Sequence, residues 1–457
     1  MYSYKNLRRG LDLNLEGAVE DGASSATVFA GNVAMMPDDF PGFTPKAVVR
    51  PGEKVTAGQP LLTDKNNPEI AIVSPVSGTV GDVVRGERRK ILRVTVTADK
   101  DAPASAGPAP LTDNSPEAIR RAIMQSGLWV MMRQLPYAII PDANTAPRDI
   151  FVSAIDSAPL AASLTDLVAG KGKEIRAGIK ALEKLTDGKI YITVRDIEST
   201  AALWGDDAAT SEKVIVTQLT GKHPAGLPSV QASLLAPVNK GDTVWLLDVD
   251  TLARIGSVML TGRSYWTASV ALTGSEIKHP HIIETTVGAA LRPLVEGQTK
   301  DSGHHLRFIS GNVLTGHNET ADGYLRFPYR QITVIPEGDD VDEFMGWASL
   351  SPRKMSENRS FLSHLFGPKH FSPDARLNGG RRAMIMSGLY EKVMPMDIMP
   401  EHLIKAILSR DIDKMEALGI YEVTPDDFAL CEYVDPSKLE LQKAVREGLD
   451  YLRKELS

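Results

Sequence analysis

Metal chemistry needs soft or nitrogen ligands gathered at one point, and this chain offers only fragments of that pattern. His279 and His281 in "KHPHIIE" could share a strand face, and "GHHLRF" adds His304 and His305, but no cysteine or acid cluster joins them. A tetrahedral zinc set, and metal binding generally, is therefore not expected. Cys431 is the only cysteine; one thiol forms no internal disulfide and cannot hold an iron–sulfur cluster. "GKGKEIRAG" lacks the spacing, and the Ser or Thr after Lys, of a phosphate loop. Two other stretches mix apolar side chains with hydrogen-bond donors. One is "QSGLWVMMRQLPY" (125–137), with Trp129, Met131, Met132, Arg133 and Tyr137; the other is "AMMPDDFPGF" (34–43), with Met35, Met36, Phe40 and Phe43. Each reads either as a ligand- or partner-facing surface or as core, since Met also fills gaps. Lys65 in "LLTDKNNPEIAIV" is a candidate modified amine, or simply a solvated loop lysine.

The elements that would position these residues belong to an ordinary globular chain. Its 457 residues, 42% hydrophobic and 24% charged, are too many for one core and predict several domains. A net charge of −7 argues against nucleic acid as a main partner. "MYSYKNLRRG" is not followed by the apolar region of a signal peptide, and no apolar run reaches the ~18 residues of a spanning helix. A soluble or membrane-peripheral chain in a reducing compartment is expected.

Four modules follow from the pattern, an α/β multidomain class. Residues 1–100 form a β domain, with Pro-Gly and Ala-Gly turns between short apolar runs over 44–97. The stretch "DKDAPASAGPAPLTDNSP" reads as a linker. Ser115, Pro116 and Glu117 then open a helix whose apolar face is Ile119, Ala122 and Ile123, with Gly127 as its stop. Within 113–257, "DIFVSAID" (149–156), "KIYITV" (189–194) and "KVIVTQL" (213–219) are strands, and Ile175, Ile179, Leu182 and Leu185 share a helical face. That order predicts a Rossmann-like parallel α/β domain with right-handed crossover. Residues 258–336, with strand-like "SVMLTG", "TASVALTG", "LRFISGNVLTG" and "RQITVIPEG" and a short helix near "TVGAALRPLV", form an α+β module. Residues 337–457 are a linker and a helical domain. There Leu403, Ile404, Ile407, Leu408, Ile412 and Met415 follow a 3.6 period, and capping boxes pair Thr424 with Asp427 and Ser437 with Glu440.

Residues 61–80 resemble the hairpin of lipoyl and biotinyl carrier domains, which implies a barrel-sandwich segment. In those carriers the modified lysine stands at the tip of a tight turn. Here "NNP" lengthens the turn, which displaces Lys65 from the apex and changes the register. The fold is expected without the swinging arm.

End to end, the chain is similar to the A-subunit family of the Na⁺-translocating NADH:quinone oxidoreductase. The matching stretches are "RRGLDLNLEG", "DKNNPEIAIVSPVSGTV", "RGERRKIL", "QSGLWVMMRQLPY", "GKHPAGL", "FISGNVLTG", "RSFLSHLF", "YEKVMPMD" and "DDFALCEYV", in the family's order. The resemblance implies a β-grasp, soluble-ligand-binding-like module over 258–336. It also implies a peripheral translocase component on the cytoplasmic face of the bacterial inner membrane, docked on the membrane subunits, above all the one with the quinone site. That component would serve the quinone-reduction half of the reaction, with ubiquinone or menaquinone as possible substrate, while NADH is oxidised and Na⁺ moved elsewhere. The middle of the chain also resembles flavin-carrying subunits of related complexes. Where those have a glycine-rich loop after Ser-Gly-Leu, this chain has Trp129 to Tyr137, and their cysteine cluster is reduced to Cys431. No flavin and no iron–sulfur cofactor is expected. A quinone slot needs apolar walls and one or two donors; Trp129, Met131, Met132, Arg133, Tyr137, Met35, Met36, Phe40 and Phe43 are the candidates. His223, before the Pro-x-Gly turn of "HPAGL", is a donor for the same cleft or a solvated turn residue. The rival readings are a purely structural adaptor and a carrier modified at Lys65.

Overall fold

The computed structural model describes residues 1–20, 25–100, 110–340, 351–352, 354–355, 361–366 and 368–456, with only the backbone of 206–210. Half of the expected linker (101–109) and the segment 341–350 lie outside the described residues.

The first module packs two small antiparallel sheets face to face. One orders the strands Asn32–Met35, Ile91–Ala98, Gly78–Arg85 and Lys54–Val55; the other orders Pro45–Ala47, Pro60–Asp64 and Ala71–Val73. Leu61, Leu62, Ile72, Val80, Val94 and Val96 fill the space between them, all buried. Lys65 opens the loop that follows Pro60–Asp64 rather than standing at its tip: Asp64 N–H still pairs with Ile70 at 2.9 Å, and Lys65 N–H donates to Thr44 O at 2.9 Å. The extra turn residues shift the lysine back toward the ladder.

The second module is built on a six-stranded sheet. Its parallel strands run in the order Tyr2–Asn6, Val214–Thr220, Ile190–Val194, Asp149–Ser153 and Val244–Asp248, and Arg133–Leu135 closes the edge antiparallel. The three expected strands are parallel neighbours, and Ile175, Ile179, Leu182 and Leu185 are all buried. Ser115 caps Pro116–Gln125 by accepting from Ala118 N–H at 3.3 Å.

Two expectations change here. Tyr2–Asn6 belongs to this sheet and not to the first module, because its N–H and C=O groups complete the open edge of Val214–Thr220. "SVMLTG" is not a strand but the last turns of the helix Val249–Thr261, which Asp248 caps at Thr251 N–H and Gly262 ends at φ 77°. An apolar run of that length carries no periodicity to separate the two outcomes; burial against the helix Gly172–Leu182 decided it. The helices touch through glycines: a Cβ on Gly256 would stand 1.7 Å from Glu174 O.

The third module is a six-stranded mixed sheet in the order His317–Glu319, Leu306–Ser310, Gln331–Pro336, Thr267–Thr273, His281–Thr286 and Ser25–Thr27. The helix near "TVGAALRPLV" is reduced to the single turn Arg292–Val295. In the C-terminal module the 3.6 period spans two helices, Pro400–Ser409 and Ile412–Ala417, broken at Arg410 (φ 54°). Leu408 is exposed. Thr424 and Asp427 form the expected capping box, whereas Ser437 does not cap. Its hydroxyl donates to Ala383 O at 3.0 Å, and the helix starts only at Leu441.

Candidate functional site

In an open parallel sheet every strand points its carboxyl end at the same edge, so loops from there form a crevice. Here Asp149–Ser153 and Val244–Asp248 end at that edge, and loops of the other three modules roof the crevice. The result is a cavity of about 360 Å³. Met131, Ile155, Leu227, Leu246 and Phe327 supply apolar wall; Arg133, Asp156, His223, Tyr329 and Asp426 supply polar atoms.

Arg133 is pinned before any ligand arrives. Its guanidinium donates to Val130 O (2.8 Å), Met132 O (3.1 Å) and Asp39 O (2.6 Å), joining the second module to the first. It lies near the ring centroids of Phe40 (5.9 Å) and Phe327 (5.6 Å), which stack on each other at 5.2 Å. Burial lowers its pKa to about 10, with Asp39 opposing, so it remains a cation at neutral pH. Asp39 in turn receives Arg326 Nε at 2.7 Å and Phe327 N–H at 3.1 Å, which ties in the third module. Burial still pushes its carboxyl above the ordinary range, more than Arg326 pulls it down.

His223 sits at the base of the "HPAGL" turn, 3% exposed. Its backbone N–H donates to Asp12 Oδ1 at 2.9 Å, and its Nδ1 is 3.1 Å from Ser157 Oγ. Its Nε2 is buried with no hydrogen-bond partner among the described residues. Burial drops the ring pKa to about 4, with Asp12 opposing, so the imidazole is neutral. Gly226 N–H reaches Ser157 Oγ at 2.8 Å because the backbone comes close; a Cβ there would stand 2.6 Å from Ser157 N.

Two acids open onto the cavity. Asp156 and Asp426 are accessible to water, yet protein surrounds both, and desolvation raises both carboxyls. Asp156 Oδ1 accepts Ala158 N–H at 3.0 Å; Arg133 acts on Asp426 only through its charge, pulling the acid part of the way back. Behind Asp426, Asp427 accepts from Ser229 Oγ (2.6 Å) and from Thr424 N–H (2.6 Å) and Oγ1 (3.0 Å), and burial lifts it to about 7. Along the third-module side, Arg330 pairs with Asp248 (2.8 Å) and Asp250 (3.1 Å). Burial alone would raise Asp250, but Arg254, Arg330 and Lys171 hold it far below the carboxylate range.

Of the ten candidates read from the sequence, Met131, Arg133 and His223 line this cavity. The others do not. Trp129 and Met132 are fully buried: Trp129 Nε1 donates to Pro141 O at 2.8 Å, and its ring packs edge-on to Trp245 at 5.2 Å. Met35, Met36 and Phe43 are core, and Phe40 backs Arg133 from behind the wall. Tyr137 is half-buried and turns toward the C-terminal helices, its carbonyl held by Arg446 at 2.8 Å. An apolar run beside a parallel sheet has more to gain from the core than from a surface. Asp156, Asp426, Tyr329 and Arg330 were missed. Asp156 had a signal, an acid closing a buried strand run; Asp426 had none beyond its capping box.

Comparison with known proteins adds three family matches. Residues 6–99 match the NqrA N-terminal barrel-sandwich hybrid domain, 114–264 the NqrA second alpha/beta domain, and 269–321 the NQRA C-terminal domain. Curated relatives include the Na(+)-translocating NADH-quinone reductase A-subunit of Rhodopirellula baltica, 35% identical over 99% of both chains. Those of Photorhabdus laumondii and Neisseria meningitidis serogroup B are 34% and 33% identical over 98% of this chain and 99% of theirs. A chain of NAD+-reducing [NiFe]-hydrogenase in the H2-reduced state overlaps 74% of this chain and 61% of its own, at 14% identity and a TM-score of 0.41.

Proposed function

This chain belongs to the A-subunit family of the Na⁺-translocating NADH-quinone reductase, and from that membership we propose that its cavity receives the quinone headgroup in the quinone-reducing half of the reaction. Among the described residues no helix is long and apolar enough to cross a membrane. From the family membership we place the chain peripherally, on the cytoplasmic face, docked on membrane subunits of the same complex and above all on the one with the quinone site. The Rossmann-like and β-grasp-like descriptions of the second and third modules belong to the same reading.

One observation carries it: a cavity of about 360 Å³, near the lower end of small-ligand sites, has apolar walls and a buried, neutral His223 with an unpartnered Nε2. A flat ring with two carbonyls asks for walls of that kind and one or two polar atoms. Arg133 adds a fixed positive charge where electron density rises on reduction. The chain is proposed to work without flavin or iron–sulfur. In support, Leu128, Trp129, Val130, Met131 and Met132 bury their side chains where flavin-carrying relatives have a phosphate-cradling loop.

The test is a photoreactive quinone analogue applied to the purified complex. Labelled peptides should include residues 131–133, 155–157 or 424–426. Label confined to the membrane subunits would leave this chain as a structural adaptor, and a flavin absorption band from the isolated chain would refute the cofactor-free reading.

A further inference from the structure

The polar atoms at the cavity differ in how far they are already engaged. Tyr329 hydroxyl donates to Thr315 O, and Ser229 Oγ to Asp427. Both ends of Arg330 are held by Asp248 and Asp250. Three of the N–H groups of Arg133 go to backbone carbonyls. The two carboxyls are less committed. Among the described residues the Asp426 carboxyl accepts no hydrogen bond, and that of Asp156 accepts only Ala158 N–H, on Oδ1. They come from different modules, one from the loop after Asp149–Ser153 and one from the turn Pro425–Phe428, and both open onto the same crevice.

An ionised carboxylate is acceptor-only. Both carboxyls are reached by water, so a ligand hydroxyl there replaces a water hydrogen bond with a charge-assisted one inside the crevice, where such bonds are stronger. A quinone has two carbonyl acceptors and no donor; the quinol has two hydroxyl groups. Resting on the quinone reading above, we propose that this cavity holds the reduced, dihydroxy form more tightly than the oxidised form, with Asp156 and Asp426 accepting its hydroxyl protons. Each charge-assisted hydroxyl–carboxylate bond should favour the quinol by on the order of tenfold. The consequence is thermodynamic: tighter binding of the two-electron-reduced form raises the potential of the bound couple by about 30 mV per tenfold preference. The bound quinone becomes a better electron acceptor than the same quinone in the membrane.

The experiment measures anaerobic binding of a short-tailed ubiquinone, and of the same compound reduced to the quinol, to the full purified chain by isothermal titration calorimetry. A quinol preference of tenfold or more is expected. It should shrink toward unity in Asp156→Asn and Asp426→Asn, whose amides can donate to a carbonyl. Equal affinities, or tighter quinone binding, in the unaltered chain overturn the proposal, as would an unchanged ratio in both folded variants. Binding of neither form would overturn the headgroup reading itself, and this proposal with it.

Discussion

Asp39 is where three modules meet, and removing its partner tests whether the cavity wall is held by charge. Arg326 and Asp39 are 15% and 4% exposed in their side chains, so the pair is little screened. Arg326→Met leaves the Asp39 carboxylate buried, still receiving Phe327 N–H and still near the charge of Arg133, but without its direct ion-pair partner. Breaking one side of such a pair costs ~3–5 kcal/mol. At about 1.36 kcal/mol per decade that is at least about two decades in the equilibrium for opening the junction. A chain of several modules has no single unfolding free energy, so the assay is local: hydrogen exchange at the Phe327 amide, which should accelerate about 100-fold or more. The pH dependence has a definite sign. An acid whose folded pKa lies above its ordinary 3.8 contributes stability present at low pH and lost as pH rises through the folded value. Without Arg326 that folded value climbs further, so the damage should be largest at neutral pH and shrink as the solution is acidified. Adding Asp39→Asn to the variant removes the stranded charge while keeping an acceptor for Phe327 N–H, and should recover more than half of the protection. Acceleration under about fivefold, or no recovery in the double variant, would refute the reasoning.

Four further outcomes are expected. Gly256→Ala places a methyl 1.7 Å from Glu174 O and 2.8 Å from Gly178 N, forcing two helices apart at a cost of ~3 kcal/mol or more. Gly380→Ala, with nothing within 4 Å, should leave the melting temperature unchanged. The His223 ring, followed by NMR, should stay neutral until the pH nears 4, so that stability rises with pH between about 4 and 6.5 and is lost on acidification, by up to ~3 kcal/mol. Asp427, lifted to about 7, has the opposite slope: its contribution is complete below 3.8 and lost as pH rises through 7, and Asp427→Asn should flatten that part of the melting profile.

Several elements were legible because their signals are local. The Ser115–Pro116 cap, the face of Ile175, Ile179 and Leu182, and the Thr424–Asp427 capping box each lie within one or two turns, where neighbouring side chains decide the backbone. The "NNP" insertion was equally readable, since turn length alone moves Lys65 off the hairpin tip. "SVMLTG" was not, because helix and buried strand share an apolar run, and only the close approach of Gly256 to Glu174 selects the helix.

By itself the sequence determined the module order, the parallel strands and the residue types of the wall, since these follow from periodicity and turn chemistry along the chain. Of its candidates, Met131, Arg133 and His223 line the cavity, but the sequence could not separate the first two from Trp129 and Met132, their close neighbours in the chain. Facing is settled by what packs on the other side. Only the tertiary structure brought Asp39, Asp156, Tyr329 and Asp426, up to 387 positions apart, to one cavity. Desolvation, which acts through three-dimensional neighbours and leaves no trace in spacing, then shifted the titration of those groups upward.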